Sequence, residues 1–213
     1  MRTPSARQSS FTLIELLTVI AIISILAGLL LSAIAGARRY AKISQAKTDI
    51  KNIQTAITAY YNEYGKLPVQ DNEQGGVQYG GPGPGSCDGW YGQGGLPQSE
   101  IIDILRASND TINVQNKYNP RQIVFLEIPN RASALAPDST TGGQTFLDPW
   151  GKSYFIKLDN NGNGFVHYYY NPSGDDCTGV GGFATIAIII SYGPDGQQED
   201  PTKGRTDDIF SFQ

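Results

Sequence analysis

The C-terminal loop carries the densest group of side chains that could bind a metal ion. Five carboxylates fall within 14 residues: Asp195, Glu199, Asp200, Asp207 and Asp208. A hard cation such as Ca²⁺ binds about six to eight oxygen ligands from carboxylates, backbone carbonyls and water. The residues alone leave two interpretations open, a calcium-binding loop and a solvated acidic loop with Lys203 and Arg205 as its partners.

A second stretch with metal-ligand spacing, "DNNGNG", runs from Asp159 to Gly164. It matches the first half of a calcium loop, with oxygens at alternate positions and a glycine at the sharp turn. The bidentate Glu that ends such a loop is replaced by Tyr170, and no second helix is predicted beyond it. We therefore interpret this stretch as the turn of a β-hairpin between "SYFIKLD" and "FVHYYYN".

The sequence contains no pattern of side chains typical of catalysis. His167 is the single histidine and lies in the strand-like "VHYYY", where a packed or surface ring is expected. Neither Cys87 nor Cys177 belongs to a CxxC pair, and no serine occupies a G-x-S-x-G elbow. We predict that the protein is not an enzyme.

Composition limits the remaining classes of function. The net charge of −4 is small and the Lys and Arg residues are scattered, so nucleic acid is not expected as the main partner. The length of 213 residues accommodates a short membrane element and a domain of roughly 140 to 150 residues. If that domain is exported, an oxidising compartment favours a disulfide between Cys87 and Cys177; two unpaired small residues are the alternative.

The N-terminal segment combines a basic leader with a long apolar run. Residues 1–10, "MRTPSARQSS", hold two arginines and no acid. The apolar run over residues 11–31 has about the 20 residues that a transmembrane helix needs, and it exceeds the apolar core of a secretory signal. The leading positive charges predict a cytoplasmic N-terminus and an exported C-terminal part.

Glu15 is the one carboxylate within this apolar run. A carboxylate at the centre of a bilayer costs about 2.5 to 3.5 kcal/mol, and less near an edge. Glu15 therefore either reaches the interface close to the start of the span, or meets a cation supplied by another copy of the chain.

The helix is predicted to continue beyond the span. Steps of three and four residues draw an apolar stripe along one helical face, formed by Ile43, Ala46, Ile50, Ile53, Ile57, Tyr60 and Tyr64. The other faces are expected to carry charged residues, namely Arg39, Lys42, Lys47, Asp49 and Lys51. Gly65 and Pro68 then end the helix. One helix over residues 11–64 is predicted, with a first half suited to lipid and a second half suited to a globular domain.

The remaining chain predicts a small sheet. "PQSEIIDILRASND" is typical of a short amphipathic helix with Ser99 as its N-cap. "QIVFLEI" predicts a strand or an extended buried segment, and "FATIAIIISYG" predicts the central strand. We expect an α+β fold in which three or four mostly antiparallel strands pack on the apolar stripe of the long helix.

"SFTLIELLTVIAIISILAGLL" resembles the class III signal and following helix of type IV pilins and pseudopilins. The resemblance implies a type IV pilin-like fold, cleavage by a prepilin peptidase between Ser10 and Phe11, and N-methylation of Phe11. It also implies that Glu15 attracts the N-terminal amine of a neighbouring subunit, which agrees with the cost of burying this charge unpaired. The implied organisation is a leader over residues 1–10, a transmembrane and filament-core segment over 11–34, and a periplasmic domain over 35–213.

Three further blocks are similar to the major pseudopilin of type II secretion systems: "KTDIKNIQTAITAYYNEYGKLP", "DPWGKSYFI" and "SYGPDG…DDIF". This similarity implies a structural subunit of the bacterial inner membrane that self-assembles into a helical periplasmic filament and promotes the export of folded proteins. The implied partners are the inner-membrane secretion platform and minor pseudopilins. The similarity also implies a structural Ca²⁺ in the C-terminal loop, with Asp195 as the best ligand and Asp207 and Asp208 next.

Two other functions stay open. A type IV pilin would use the same architecture for adhesion, motility or DNA uptake. A membrane-anchored periplasmic binding module would use "SCDGWYGQGG", with Trp90 and Tyr91 as contacts, but it leaves Glu15 unexplained. In the filament interpretations, apolar side chains of the span form the filament core, among them Leu13, Leu16, Ile20, Ile23 and Leu30.

Overall fold

The computed structural model describes residues 12–69, 89–91, 97–109, 113–131, 134–159, 162, 164–167, 182–197 and 207–211. The chain forms two compact units, Met1–Ala41 and Lys42–Gln213. A long helix, α1 (Leu13–Tyr64), contributes its first part to one unit and its second part to the other. The predicted long helix and its end at Tyr64 are confirmed.

In the first unit, α1 exposes its apolar side chains. Every side chain described over residues 12–30 and 34–41 is exposed. By length and composition this part of the helix is sufficient to cross a membrane. Apolar surface of this extent is normally covered by lipid or by other protein chains.

In the second unit, α1 buries the predicted apolar stripe. The side chains of Ile50, Ile53, Ile57 and Tyr60 are almost fully buried, and Ile43 and Tyr64 pack partly buried against the same core. The helix ends where Gly65 adopts a φ of +66°, a conformation in which glycine has no Cβ to clash.

Beyond α1 the described residues contain one short α-helix, a 3₁₀ turn and eight strands. The helix is α2 (Ser99–Leu105) and the turn is Val114–Asn116. The strands are β1 (Gly89–Tyr91), β2 (Leu135–Pro137), β3 (Gln144–Phe146), β4 (Phe155–Leu158), β5 (Val166–His167), β6 (Gly182–Phe183), β7 (Ala187–Ser191) and β8 (Ile209–Phe210).

The main sheet has four antiparallel strands in the order β1-β4-β7-β8, as predicted in number and direction. Strand β7 lies inside the sheet and is buried at every position, which confirms the predicted central strand. Ala187 and Ile189 join the core that includes the α1 stripe, whereas Ile188 and Ile190 join a second cluster on the other face. Burial on both faces explains why this strand is apolar from Ala187 to Ile190.

The predicted hairpin between "SYFIKLD" and "FVHYYYN" is wrong. Strand β4 pairs with β1 on one side and β7 on the other, and β5 pairs instead with β6. Asp159, which follows β4, accepts a hydrogen bond from the Gly164 amide at 2.8 Å and donates its own amide to Ile186. Its carboxylate therefore closes a local turn.

One other local prediction needs correction, and one is decided between its two alternatives. Ser99 is the first residue of α2 rather than its N-cap, because its hydroxyl donates to Asp138 (2.9 Å) in the loop between β2 and β3. Of the two alternatives predicted for "QIVFLEI", the strand does not form within the described residues, whereas the buried segment agrees with the structure: Leu126 is buried, and Phe125 and Ile128 pack against the core. The amides of Phe125 and Leu126 both donate to the Leu105 carbonyl, so this segment is attached to the end of α2.

The end of α2 offers a test of backbone strain. Ala107 adopts a φ of +54°, while the amides of Ala107 and Ser108 close a Schellman motif onto Ile104 and Asp103. Glycine adopts this left-handed conformation without the steric cost of a Cβ. We expect Ala107→Gly to raise the free energy of unfolding by about 1 kcal/mol, measured by urea denaturation.

Ala59→Gly is the matched control, since Ala59 is exposed within α1 and has ordinary helical geometry. It is expected to lower the free energy of unfolding by about 1 kcal/mol. Destabilisation by both substitutions would show that the left-handed conformation at Ala107 is not strained.

Candidate functional site

The start of α1 holds the predicted assembly residue, Glu15, in a capping box. Its Oε2 accepts hydrogen bonds from the amide and the hydroxyl of Thr12, both at 2.8 Å, and its own amide donates to the Thr12 hydroxyl at 3.3 Å. These bonds satisfy donors that a helix leaves unpaired at its first turn. The carboxylate is thus turned back towards the residue that precedes the helix. Ser10 and Phe11 lie outside the described residues.

Sequence reasoning missed this cap, although the pattern Thr12-x-x-Glu15 was present. Of the two interpretations of Glu15, the cap agrees with a position near the end of the span. It also leaves the second interpretation open, because a carboxylate at the first turn can receive a cation from outside the helix.

The predicted filament-core side chains all lie on the exposed surface of the first unit. Their exposed fractions range from 54% for Leu16 to 87% for Leu13. Ile20, Ile23 and Leu30 fall between these values. No described residue of the chain covers them, so they are available to lipid or to other copies.

The base of the C-terminal loop is built around Asp148, from the "DPWG" block. Its buried carboxylate accepts from the amides of Trp150 and Lys152, both at 2.9 Å, and from the hydroxyl of Ser191 at 2.7 Å. Ser191 ends β7, and its hydroxyl in turn accepts from the Gly193 amide at 3.3 Å. Two sequence blocks that are far apart in the chain therefore form one hydrogen-bonded unit.

The returning chain closes this loop at Gly193. A Cβ at Gly193 would lie 2.5 Å from the main-chain oxygen of Asp207, and the φ of Gly193 is +65°. Since both the close approach and the backbone conformation require glycine, Gly193 and Asp207 form a fixed entrance to the loop. Strand β8 follows and pairs with β7, with Ile209 opposite Ser191.

The predicted calcium ligands occupy different environments at this loop. Asp195 is exposed in the turn after Gly193, where its Oδ1 accepts from the Gln197 amide at 2.9 Å. Asp207 lies at the loop entrance and Asp208 is buried beside β8. Glu199 and Asp200 lie outside the described residues, and the part of the chain that is described contains no group of three or more metal-ligating side chains.

The remaining predicted residues are placed as follows. His167 lies in strand β5, as expected. Gly89–Tyr91 forms strand β1 of the main sheet, with Trp90 opposite Lys157, so this stretch of the predicted binding loop is part of the sheet. Cys87 and Cys177 lie outside the described residues.

A buried polar cluster within the second unit was not predicted. Asp49 was expected only to lie on a face of α1 other than the apolar stripe, but it is 1% exposed and pairs with Arg131 at 2.8 Å. Tyr154 donates its hydroxyl to the same carboxylate oxygen at 2.8 Å, and Arg131 also donates to the Leu147 carbonyl. Burial, reinforced by the charge of Asp49, raises the pKa of Tyr154 well above its usual range, so the hydroxyl remains a donor.

We call Asp49, Arg131 and Tyr154 the α1 clasp. It connects the second part of α1 to the loop before β2 and to the residue before β4. Sequence periodicity could not reveal the clasp, because each partner is distant in the chain. The clasp fixes the α1 stripe on the sheet.

Comparison with known proteins identifies the N-terminal segment. Residues 5–31 match the prokaryotic N-terminal methylation motif. The chain is similar to two sequences of the type IV major pilin protein PilE1 of Neisseria gonorrhoeae, each 41% identical over 70 residues, which is 33% of this chain. The aligned part spans 42% of the length of one relative and 38% of the other. No solved structure matches the chain significantly.

Proposed function

We propose that this type IV pilin-like protein is a structural subunit that is stored in a membrane and assembles into a filament through its N-terminal helix. The observation that carries the proposal is the methylation motif, which runs into a membrane-length helix with no described protein cover. Lipid can cover this apolar surface before assembly, and other copies can cover it afterwards.

Processing would precede assembly. A prepilin peptidase would cleave between Ser10 and Phe11 and methylate the new terminus. The shortened chain would cross the inner membrane once, with its N-terminus on the cytoplasmic side and residues 35–213 in the periplasm. The two arginines before the span support this orientation.

Assembly would place Glu15 near the N-terminal amine of a neighbouring copy. The capping box supports this role, because it holds the carboxylate at the first turn of α1. An opposite charge offsets the desolvation that a carboxylate suffers inside a filament core. The exposed apolar side chains of α1 would supply the contacts between helices.

We propose that this filament is the pseudopilus of a type II secretion system, with the inner-membrane secretion platform and minor pseudopilins as partners. The proposal is supported by the C-terminal loop, where the "DPWG" and "SYGPDG" blocks meet through Asp148 and Ser191. A type IV pilus for adhesion, motility or DNA uptake is the second candidate, which the similarity to gonococcal type IV major pilins favours.

Deletion of the coding sequence in its host separates the two candidates. For a pseudopilus subunit we expect folded exoproteins to accumulate in the periplasm while surface pili and twitching motility remain unchanged. Normal secretion together with loss of surface pili would instead establish the type IV pilus.

A structural Ca²⁺ in the C-terminal loop is part of the proposal. Asp195 and the entrance residue Asp207 offer the hard oxygen ligands that this ion prefers, and main-chain carbonyls can complete the shell. Asp208 would contribute from its buried position beside β8. The ion would stabilise a polar loop with little apolar content, so binding would add to folding stability.

Calcium is therefore expected to raise the thermal midpoint relative to a chelator. At a concentration about 100 times the Kd, binding adds about 2.7 kcal/mol, or roughly 5 to 10 °C for a chain of this size. Asp195→Asn should remove most of the increment. Glu127→Gln is the control, since Glu127 is an exposed carboxylate outside the loop, and it should retain the increment. Equal midpoints of the unsubstituted chain in calcium and in chelator would contradict the proposal.

A further inference from the structure

The apolar part of α1 is followed by two arginines and a tyrosine. Arg38, Arg39 and Tyr40 are exposed, and Tyr40 is 75% exposed. Neither guanidinium forms an ion pair or a side-chain hydrogen bond with any residue that the structure describes. Two unpaired cations therefore lie where the membrane-length segment gives way to polar sequence.

The surrounding sequence offers these cations no acidic partner. The whole chain has more acids than bases, with a net charge of −4, yet residues 16–48 contain four cations and no Asp or Glu. The next acid, Asp49, is buried and occupied by Arg131 and Tyr154 of the clasp. An anion for Arg38 and Arg39 must therefore come from outside this segment.

The chemistry of the three side chains fits a phospholipid headgroup. A guanidinium forms paired hydrogen bonds with phosphate oxygens, and it is less strongly hydrated than an ammonium group. Tyrosine favours the membrane–water interface, where its ring meets the acyl region and its hydroxyl meets water. Each Lys or Arg near an anionic membrane surface strengthens the association of the protein with that surface about fivefold.

We propose that Arg38 and Arg39, flanked by Tyr40, bind the headgroups of anionic phospholipids such as phosphatidylglycerol while the subunit is stored in the bilayer. The inference rests on the membrane stage of the proposed function and adds its lipid class. Bound headgroups would set the depth of α1 and would have to be released when a subunit leaves the bilayer.

Lipid selectivity provides the test. The chain that remains after cleavage at Ser10 is reconstituted in phosphatidylcholine bilayers. The fractions of spin-labelled phosphatidylglycerol and of spin-labelled phosphatidylcholine that contact the protein then give its lipid preference. We expect a preference for phosphatidylglycerol that falls by about fivefold for each arginine removed, and so by up to about 25-fold in Arg38→Gln/Arg39→Gln. Lys47→Gln/Lys51→Gln removes the same charge further along the chain and is expected to leave the preference unchanged. Sodium phosphate should weaken the preference no more than sodium chloride of equal ionic strength.

Several outcomes would overturn the inference. An arginine variant with the same preference for phosphatidylglycerol as the unsubstituted chain would contradict it. An equal loss of that preference in the arginine and the lysine double variants would contradict it as well. Specific displacement by inorganic phosphate would reassign the site to free phosphate. Unchanged lipid selectivity together with weaker association between copies would assign the arginines to a second subunit. Absence of any lipid contact would instead refute the membrane stage itself.

Discussion

Replacing Arg131 with Met is expected to lower the free energy of unfolding by about 3 to 5 kcal/mol. The substitution retains an unbranched apolar side chain but removes the guanidinium that pairs with Asp49, whose side chain is 2% exposed. It also leaves the Leu147 carbonyl without its bond to Arg131. Tyr154 remains as a donor to Asp49, but a neutral hydroxyl does not compensate a buried charge. Urea denaturation gives the free energy.

Arg121→Met is the matched control. Arg121 pairs with Glu63, but its side chain is 65% exposed, and exposed ion pairs contribute at most about 1 kcal/mol. Combining Arg131→Met with Asp49→Asn should recover much of the stability, because the uncompensated charge is removed while the amide oxygen can still accept from the buried Tyr154 hydroxyl. A loss from Arg131→Met no larger than that from Arg121→Met would show that the clasp is not a principal contact between α1 and the sheet.

Replacing Glu15 with Gln is expected to prevent filament assembly while leaving α1 intact. Glutamine also occupies the third position of a capping box, so the bonds with Thr12 can be retained. Only the charge is lost, and the amine of a neighbouring copy would then be buried without a partner. The expected cost of about 3 to 5 kcal/mol weakens each association by roughly two to four orders of magnitude. Sheared filaments, quantified by electron microscopy and immunoblotting, measure the effect.

Ser24→Ala controls for the loss of a polar atom from the same helix. The Ser24 hydroxyl donates to the Ile20 carbonyl within α1 and carries no charge, so assembly should be unaffected. Filaments of Glu15→Gln at the level of the unsubstituted chain would contradict the proposed pairing of Glu15 with a neighbouring terminus.

The features predicted correctly from the sequence are those that depend on neighbouring residues. The stripe through Ile50, Ile53 and Ile57 was predicted because a helical period places these residues on one face. The helix end was predicted because Gly65 takes a left-handed conformation. The internal position of β7 followed from its continuous apolar residues, which are buried on both faces of the sheet.

The errors arose where a distant residue competes with a local preference. The burial of Asp49 was not predicted, because its partner Arg131 lies far away in the chain. Ser99 appeared to be a cap, but Asp138 offered its hydroxyl a tertiary acceptor. The predicted hairpin does not form because both edges of β4 are already paired, one with Gly89–Tyr91 and the other with β7. No local pattern could have indicated these pairings.

In the candidate sites, too, the features set by neighbouring residues were predicted and those set by distant residues were not. The N-terminal motif was recognised because it is contiguous, and the match over residues 5–31 confirms it. The C-terminal loop was recognised from its acids, but its base depends on Asp148, Ser191 and Gly193, whose contacts only the fold brings together. Asp195 and Asp207 belong to the same loop, and the calcium remains a prediction.

The mass and N-terminal sequence of the protein isolated from its host test the central claim most directly. The proposed filament assembly through Glu15 would require a free amine at Phe11, which cleavage after Ser10 would create. We predict a chain that lacks residues 1–10, begins at Phe11 and carries one added methyl group on its terminal nitrogen. A chain in the membrane that still begins at Met1, with an unmodified Phe11 inside it, would contradict the proposed processing and the assembly that depends on it.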